Sequence, residues 1–410
     1  MTSNRTRLLL TGVAAVAIGV CAEVAFSLDD GGAKDPVDHA LSKALRWLVS
    51  TQGEDGGWGQ DGGETSYVRQ GEHLESNGND VANTAVVAEA LLQSGTTSTR
   101  GQYREPLTRA VEFVLQHVEK SPAEGLAVTD LHGTQIQRKL GPYIDTFMTA
   151  KLLAELDGNM GSAQADARVR RDLQKCVAKI ENNQLKDGSW NISGGWAPVL
   201  GTSMASQSLA IAQAKGAANP QMALARVQEY TRTPAAAAPT PAAMGAVTGV
   251  AGGVPSGVGG GIFRSVPSST AATVMATSAD AGVPLYKRAQ ELEQLTRTEK
   301  DRKENAAKIK AINGQLADQR FVTGFGSIGG EEFFSWLNIS EGLRRTGGPE
   351  WQKWNADTKA KLLKLQNDDG TWAGHHCITG RVAVTSAAIL LLTADRRPAP
   401  DVIQTSMTKR

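Results

Sequence analysis

Gln52-Gly53-Glu54-Asp55-Gly56-Gly57-Trp58, Gln184-Leu185-Lys186-Asp187-Gly188-Ser189-Trp190 and Gln366-Asn367-Asp368-Asp369-Gly370-Thr371-Trp372 are three copies of one pattern, Gln-x-x-Asp-Gly-x-Trp. Each copy follows an amphipathic segment: Lys43-Ala44-Leu45-Arg46-Trp47-Leu48 leads into the first, and Ile180 and Leu362 precede the others. Each is followed by a stretch rich in Ala, Ser and Thr. The Asp-Gly pair suits a tight turn, the Gln amide can bond the turn backbone, and the Trp can pin the turn to neighbouring helices. A unit recurring at one helix-relative position is an internal repeat, and a repeat determines the architecture before any other feature does.

Weaker copies lie between these three. Charged, one-sided helices are expected at about 36–52, 104–119, 164–184, 219–232, 300–318 and 350–366. More apolar helices are expected at about 80–95, 141–157, 200–216, 268–282, 330–346 and 380–394. Segments such as Val81-Ala82-Asn83-Thr84-Ala85 and Thr202-Ser203-Met204-Ala205-Ser206 are small or apolar on most faces, which marks buried helices, whereas a one-sided charged helix faces solvent. The expectation is an all-α toroid of six helical hairpins, outer helices around inner ones, forming a single domain over 36–394. Thr233 to Gly261, dominated by Ala, Pro, Gly and Val, reads as a low-complexity insertion within it. Pro284 to Glu299 reads as an extra, short charged helix, and 395–410 as a C-terminal tail.

The chain has 410 residues, 43 Lys+Arg against 42 Asp+Glu, and 40% hydrophobic residues. A net charge of +1 lacks the basic excess of a nucleic-acid binder, and the apolar content excludes wholesale disorder. Arg5 and Arg7 precede an apolar run from Leu8 to Phe26, so residues 1–26 read as a signal peptide, cleaved after Ala22, or as a retained membrane anchor. Val20 before Cys21 is too bulky for a lipidated cysteine. Export to the periplasm, envelope or exterior follows from the leader. Cys176 and Cys377 are then too few for a disulfide framework.

The Gln/Trp (QW-like) turns between alternating outer and inner helices resemble the repeats of squalene and oxidosqualene cyclases and of protein prenyltransferase β subunits. The chain is most similar to bacterial proteins of the prenyltransferase/squalene oxidase repeat type, over roughly 36–394. Gly326 to Thr393 carries the resemblance best, with Gly329-Gly330-Glu331-Glu332-Phe333-Phe334 and Trp372-Ala373-Gly374-His375-His376-Cys377. It implies an α/α toroid with a central cavity.

The resemblance also says where chemistry would sit. The cyclase acid motif Asp-x-Asp-Asp-Thr-Ala finds its nearest match in Asp80-Val81-Ala82-Asn83-Thr84-Ala85, with Ala82 in place of the proton donor and Asn83 in place of its neighbour. Aromatics are 5% of the chain, and Tyr143, Phe147, Phe333, Phe334 and Trp336 are the main ones on inner helices, a thin lining for carbocations. The prenyltransferase zinc set, aligned on the helix around Ser335, puts Glu331 near the Asp position and Phe333 at the Cys position. Squalene-type cyclisation and protein prenyl transfer are therefore not expected.

Polar residues nevertheless gather at the starts of the inner helices. Glu331, Glu332, Asp80, Asp145 and Tyr143 are the candidate catalytic residues, each weighed against a helix-capping or first-turn role. His132 is expected to face the same space. His375, His376 and Cys377, followed by Arg381, form with Glu331 a candidate Zn²⁺ site, since imidazole, thiolate and carboxylate suit that ion. Adjacent histidines diverge and rarely bind one metal together, so the alternative is a capping His and a packed Cys. The expected function is an exported toroid that binds a small apolar, isoprenoid-like ligand or a protein partner in its cavity. The alternatives are a metal-dependent enzyme and a toroid enzyme acting on carbohydrate.

Overall fold

The computed structural model describes residues 35–61, 78–190, 198–232, 288–316, 329–375 and 378–396. The leader over 1–26, the insertion over 233–261, the inner helix expected at 268–282 and the tail beyond 396 lie outside the described residues. Those described form an all-α toroid without strands, an isolated bridge between Trp58 and Asp80 being the nearest approach to one.

The outer helices are α1 (Pro36–Ser50), α3 (Arg104–Lys120), α6 (Ala163–Asn182), α8 (Gln221–Arg232), α11 (Ala306–Leu316) and α13 (Gly348–Leu365). The inner helices are α2 (Val81–Gln93), α5 (Ile144–Leu156), α7 (Pro198–Ala214), α12 (Gly330–Thr346) and α14 (Arg381–Leu392). Short helices α4 (Gln135–Leu140) and α10 (Glu299–Glu304) and a helix α9 over 288–295 complete the set. The division follows side-chain chemistry. Helix α1 buries only the stripe Val37, Ala40, Leu41, Ala44, Leu45 and Leu48, while α2 buries every residue from Val81 to Leu91.

The inner helices pack in the order α2, α5, α7, α12, α14 and back to α2, which closes the ring. They run parallel. Asp145 in the first turn of α5 accepts from the Ala82 amide in the first turn of α2, at 3.1 Å. At the far ends, Gln93 of α2 donates to the Leu390 carbonyl of α14, at 2.8 Å. A six-membered inner ring was expected, with the helix at 268–282 between α7 and α12. The helix expected there lies outside the described residues. Among those described, α7 and α12 touch through Ser203 and Gln207 on Asn338, and the largely buried stretch 289–297 reaches both, with Arg297 on Ser206 of α7 and Leu292 against Gly342 of α12.

The three Gln/Trp turns are built alike. Gln52, Gln184 and Gln366 each donate to a carbonyl of their own turn (Gly56, Gly188, Gly370) and to one in the next outer helix (Pro106, Ala223, Ala40), at 2.8–2.9 Å. Each indole Nε1 donates to the end of the preceding helix, at Leu48, Ile180 and Leu362. Each Trp amide donates to the Thr hydroxyl of the following inner helix, at Thr84, Thr202 and Thr385. One motif thus ties three helices. The third copy links α13 to α1 and so joins the two ends of the described chain.

The glycine within each turn has φ of 89°, 89° or 93°, a left-handed conformation that side chains disfavour. Space is short as well: a Cβ at Gly56 would lie 2.6 Å from the Arg109 carbonyl, and one at Gly370 would lie 2.7 Å from Lys43 Cβ.

The short charged helix expected within Pro284 to Glu299 is present as α9, and it is buried. Its Leu292 and Ala289 back onto Gly342 of α12, and Gln294 donates to Thr231 of α8. Internal pairing makes this burial tolerable: Arg288 meets Glu291, Arg297 meets Glu293, and Lys308 reaches Glu291 from α11.

Candidate functional site

Two polar regions stand out in the ring, and the sequence-derived candidates fall in the first, the rim where the inner helices begin. Asp80 caps α2: one carboxylate oxygen accepts from the Asn83 amide at 2.8 Å and the other from the Asn83 side chain at 2.7 Å. Asp145 bridges two helices, accepting from Ala82 and, at 2.7 Å, from Gln137 of α4. Burial pushes Asp80 up to about 7, and the neighbouring Asp145 carboxylate adds to the effect. Burial likewise pushes Asp145 up to about 6, against the hydrogen bond from Gln137.

Glu332 closes a capping box on the Gly329 amide, and burial beside Glu331 pushes it up to about 8. Glu331 is buried next to it in the first turn of α12. Tyr143 precedes α5 and makes no side-chain capping bond. These acids cap and join helix starts. They are not among the side chains lining the central cavity.

Of the proposed zinc set, His375 is half-buried, and its loop rests on the start of α12, where Gly374 and the Ile378 carbonyl abut Gly330. His376 and Cys377 lie outside the described residues, and among those described no group of three His, Cys, Asp or Glu side chains is placed to hold a metal ion. Arg381 pairs with Asp61 and Asp369 and stacks on the Trp47 ring, so it binds the outer wall. His132 is exposed on the segment before α4.

Sequence reasoning missed helix α4 with its amides Gln135 and Gln137, and Gln60 that meets it. Gln135 holds the start of α14 through Thr379 and Gly380, Gln60 accepts from the Gln135 amide, and Gln137 holds Asp145. Six residues are too few for a periodic signal, but Thr134 with Gln137 is a capping box that was legible.

The second region is the ring centre, where a ligand cavity was expected but not the polar groups it holds. All five inner helices contribute to one cavity of about 30 Å³, room for a water or two and some ten-fold below ordinary small-molecule sites. Its apolar wall includes Phe147, Met148, Leu200, Met204 and Phe334. Its polar members are Glu89 and Lys151, paired at 2.7 Å and almost wholly buried, and the trio Ser203, Gln207 and Asn338. The sequence did carry a trace of this: Glu89 and Lys151 are opposite charges at like positions within two mostly buried helices.

No family model and no curated protein matches the chain. Among solved structures it is similar to a type II terpene cyclase from Scytonema in complex with geranylgeranyl dihydroxybenzoate, at 12% identity and a TM-score of 0.42, covering 88% of this chain and 98% of that one. The class that the packing itself defines is the α/α toroid. Among the described residues no helix is long and apolar enough to cross a membrane.

Proposed function

We propose that this chain is an exported toroid that binds a small isoprenoid-like molecule at its ring centre and does not carry out squalene-type cyclisation. The observation that carries the binding reading is the convergence of all five inner helices on one mostly apolar cavity around a buried ion pair. A purely structural ring has no need of such a pair, because an apolar replacement is generally at least as stable. The cavity is small as it stands. Met148 and Met204 line it, and unbranched thioether side chains can move aside for an incoming body.

The non-cyclase part rests on Ala82, which the resemblance aligns with the proton donor, and on the capping duties of Asp80. Export rests on the leader pattern of residues 1–26. Native mass spectrometry of the full chain, purified from its own source, tests the binding reading. A bound small molecule removed by organic extraction is expected; an empty ring whose melting is indifferent to added geraniol would overturn it.

A second reading, a metal-dependent enzyme using His375, His376, Cys377 and Glu331, draws on one contact: Gly374 and the Ile378 carbonyl abut Gly330, the residue before Glu331. Such a site would polarise a substrate oxygen or a bound water. Elemental analysis with and without His376→Ala tests it, and absence of stoichiometric metal in both proteins removes it.

A further inference from the structure

The ring centre is not uniformly mixed. Counting from the start of each parallel inner helix, Phe147, Leu200 and Phe334 come early, while Glu89, Lys151, Gln207 and Asn338 stand about one to two turns further in, beside Leu337 and Leu390. The cavity therefore has an apolar end near the rim and, in the depth of the ring, an end that carries most of its polar groups next to these two leucines.

At the polar end one group is left over. Asn338 is 7% exposed, and its Oδ1 accepts from Ser203 at 2.9 Å and from Gln207 at 2.8 Å. Its Nδ2 has no hydrogen-bond partner among the protein atoms described and faces the cavity. A buried amide donor without an acceptor is costly, and native interiors rarely tolerate one. Glu89 and Lys151 already balance each other, so the polar end holds no spare charge for an anion. An added carboxylate or phosphate would be a buried, uncompensated charge.

We propose that this end of the cavity recognises an uncharged, oxygen-bearing head group, an alcohol or carbonyl that accepts from Asn338 Nδ2, while an apolar body lies toward the rim between Phe147, Met204 and Phe334. The proposal deepens the binding function above and rests on it. It selects against the acids and phosphorylated forms of the same carbon skeleton.

Isothermal titration of the full chain with geraniol, geranic acid and myrcene separates the two ideas, because the three share one body and differ in the head. Geraniol is expected to bind roughly ten-fold more tightly than myrcene, the worth of one buried hydrogen bond, and more tightly than geranic acid at neutral pH. Asn338→Leu is expected to bring geraniol down to the level of myrcene and leave myrcene unchanged. Glu89→Gln, which strips Lys151 of its partner, is expected to turn the preference toward geranic acid, a gain that general damage to the fold does not produce. Equal binding of geraniol and myrcene in wild type, or geraniol binding indifferent to Asn338→Leu with no swing in Glu89→Gln, overturns the head-group proposal and leaves the cavity reading standing. Failure of all three probes to bind overturns both.

Discussion

The outer wall and the centre of this toroid solve opposite problems. The wall is held by one device used three times, in which a Gln, an Asp-Gly turn and a Trp tie two consecutive outer helices to an inner one through the same set of bonds. The centre holds a single polar cluster, Glu89 with Lys151 and Ser203 with Gln207 and Asn338, that occurs nowhere else among the described residues. Repetition serves closure, because each hairpin meets the same neighbours. On the binding reading proposed above, the cluster serves recognition, because the five inner helices α2, α5, α7, α12 and α14 meet there.

The comparison breaks first at the Trp residues if the three turns are not equivalent. Trp58 and Trp372 are wholly buried and Trp190 nearly so, so Trp→Ala at each should cost about 3–5 kcal/mol in denaturant unfolding. Trp372→Ala should be the worst of the three, since its turn joins the last outer helix to the first. Equal losses at all three positions would show that closure adds nothing beyond local packing.

At the centre, Glu89→Gln leaves the Lys151 ammonium buried without its carboxylate and should cost about 3 kcal/mol. The pair Glu89→Gln with Lys151→Met should recover most of that loss. A single variant as stable as wild type would mean that the ion pair is solvated, and the contrast with the wall would fail. A smaller effect is expected in the turns, where Gly370→Ala forces a side chain into a left-handed conformation against Lys43, at roughly 2 kcal/mol.

The rim acids add a pH dependence to the comparison. Asp80, Asp145 and Glu332 have folded-state values of about 7, 6 and 8, above their unfolded ones. Their contribution is therefore fully present below the ordinary carboxylate range of about 4 and is lost as pH rises through those folded values. The melting temperature should fall between mildly acidic and mildly alkaline buffer, and Asp145→Asn should flatten that slope. A melting temperature that climbs over this interval would contradict the burial of these acids.

The wall was legible because its signals are local. Gln-x-x-Asp-Gly-x-Trp names its own turn, and the contrast between one-sided α1 and the uniformly buried α2 or α14 shows directly in residue types. Asp80 at its helix start was equally readable as a cap. The candidates at His375, His376 and Cys377 came from residue type alone, and type does not say which way three adjacent side chains point. The burial of α9 was not legible, because residue types alone do not show Arg288, Arg297 and Lys308 paired with Glu291 and Glu293.

The amino-acid sequence by itself determined an all-α repeat of outer and inner helices, the places of its turns and the identity of its capping residues, since helix periodicity and turn chemistry act over a few neighbouring residues. Only the tertiary structure decided that α7 meets α12, that the first and last hairpins join, and that Glu89, Lys151 and Asn338 share one cavity. Those contacts span from about sixty to more than three hundred residues of chain. They depend on the rotation and register of packed helices, which no local pattern encodes.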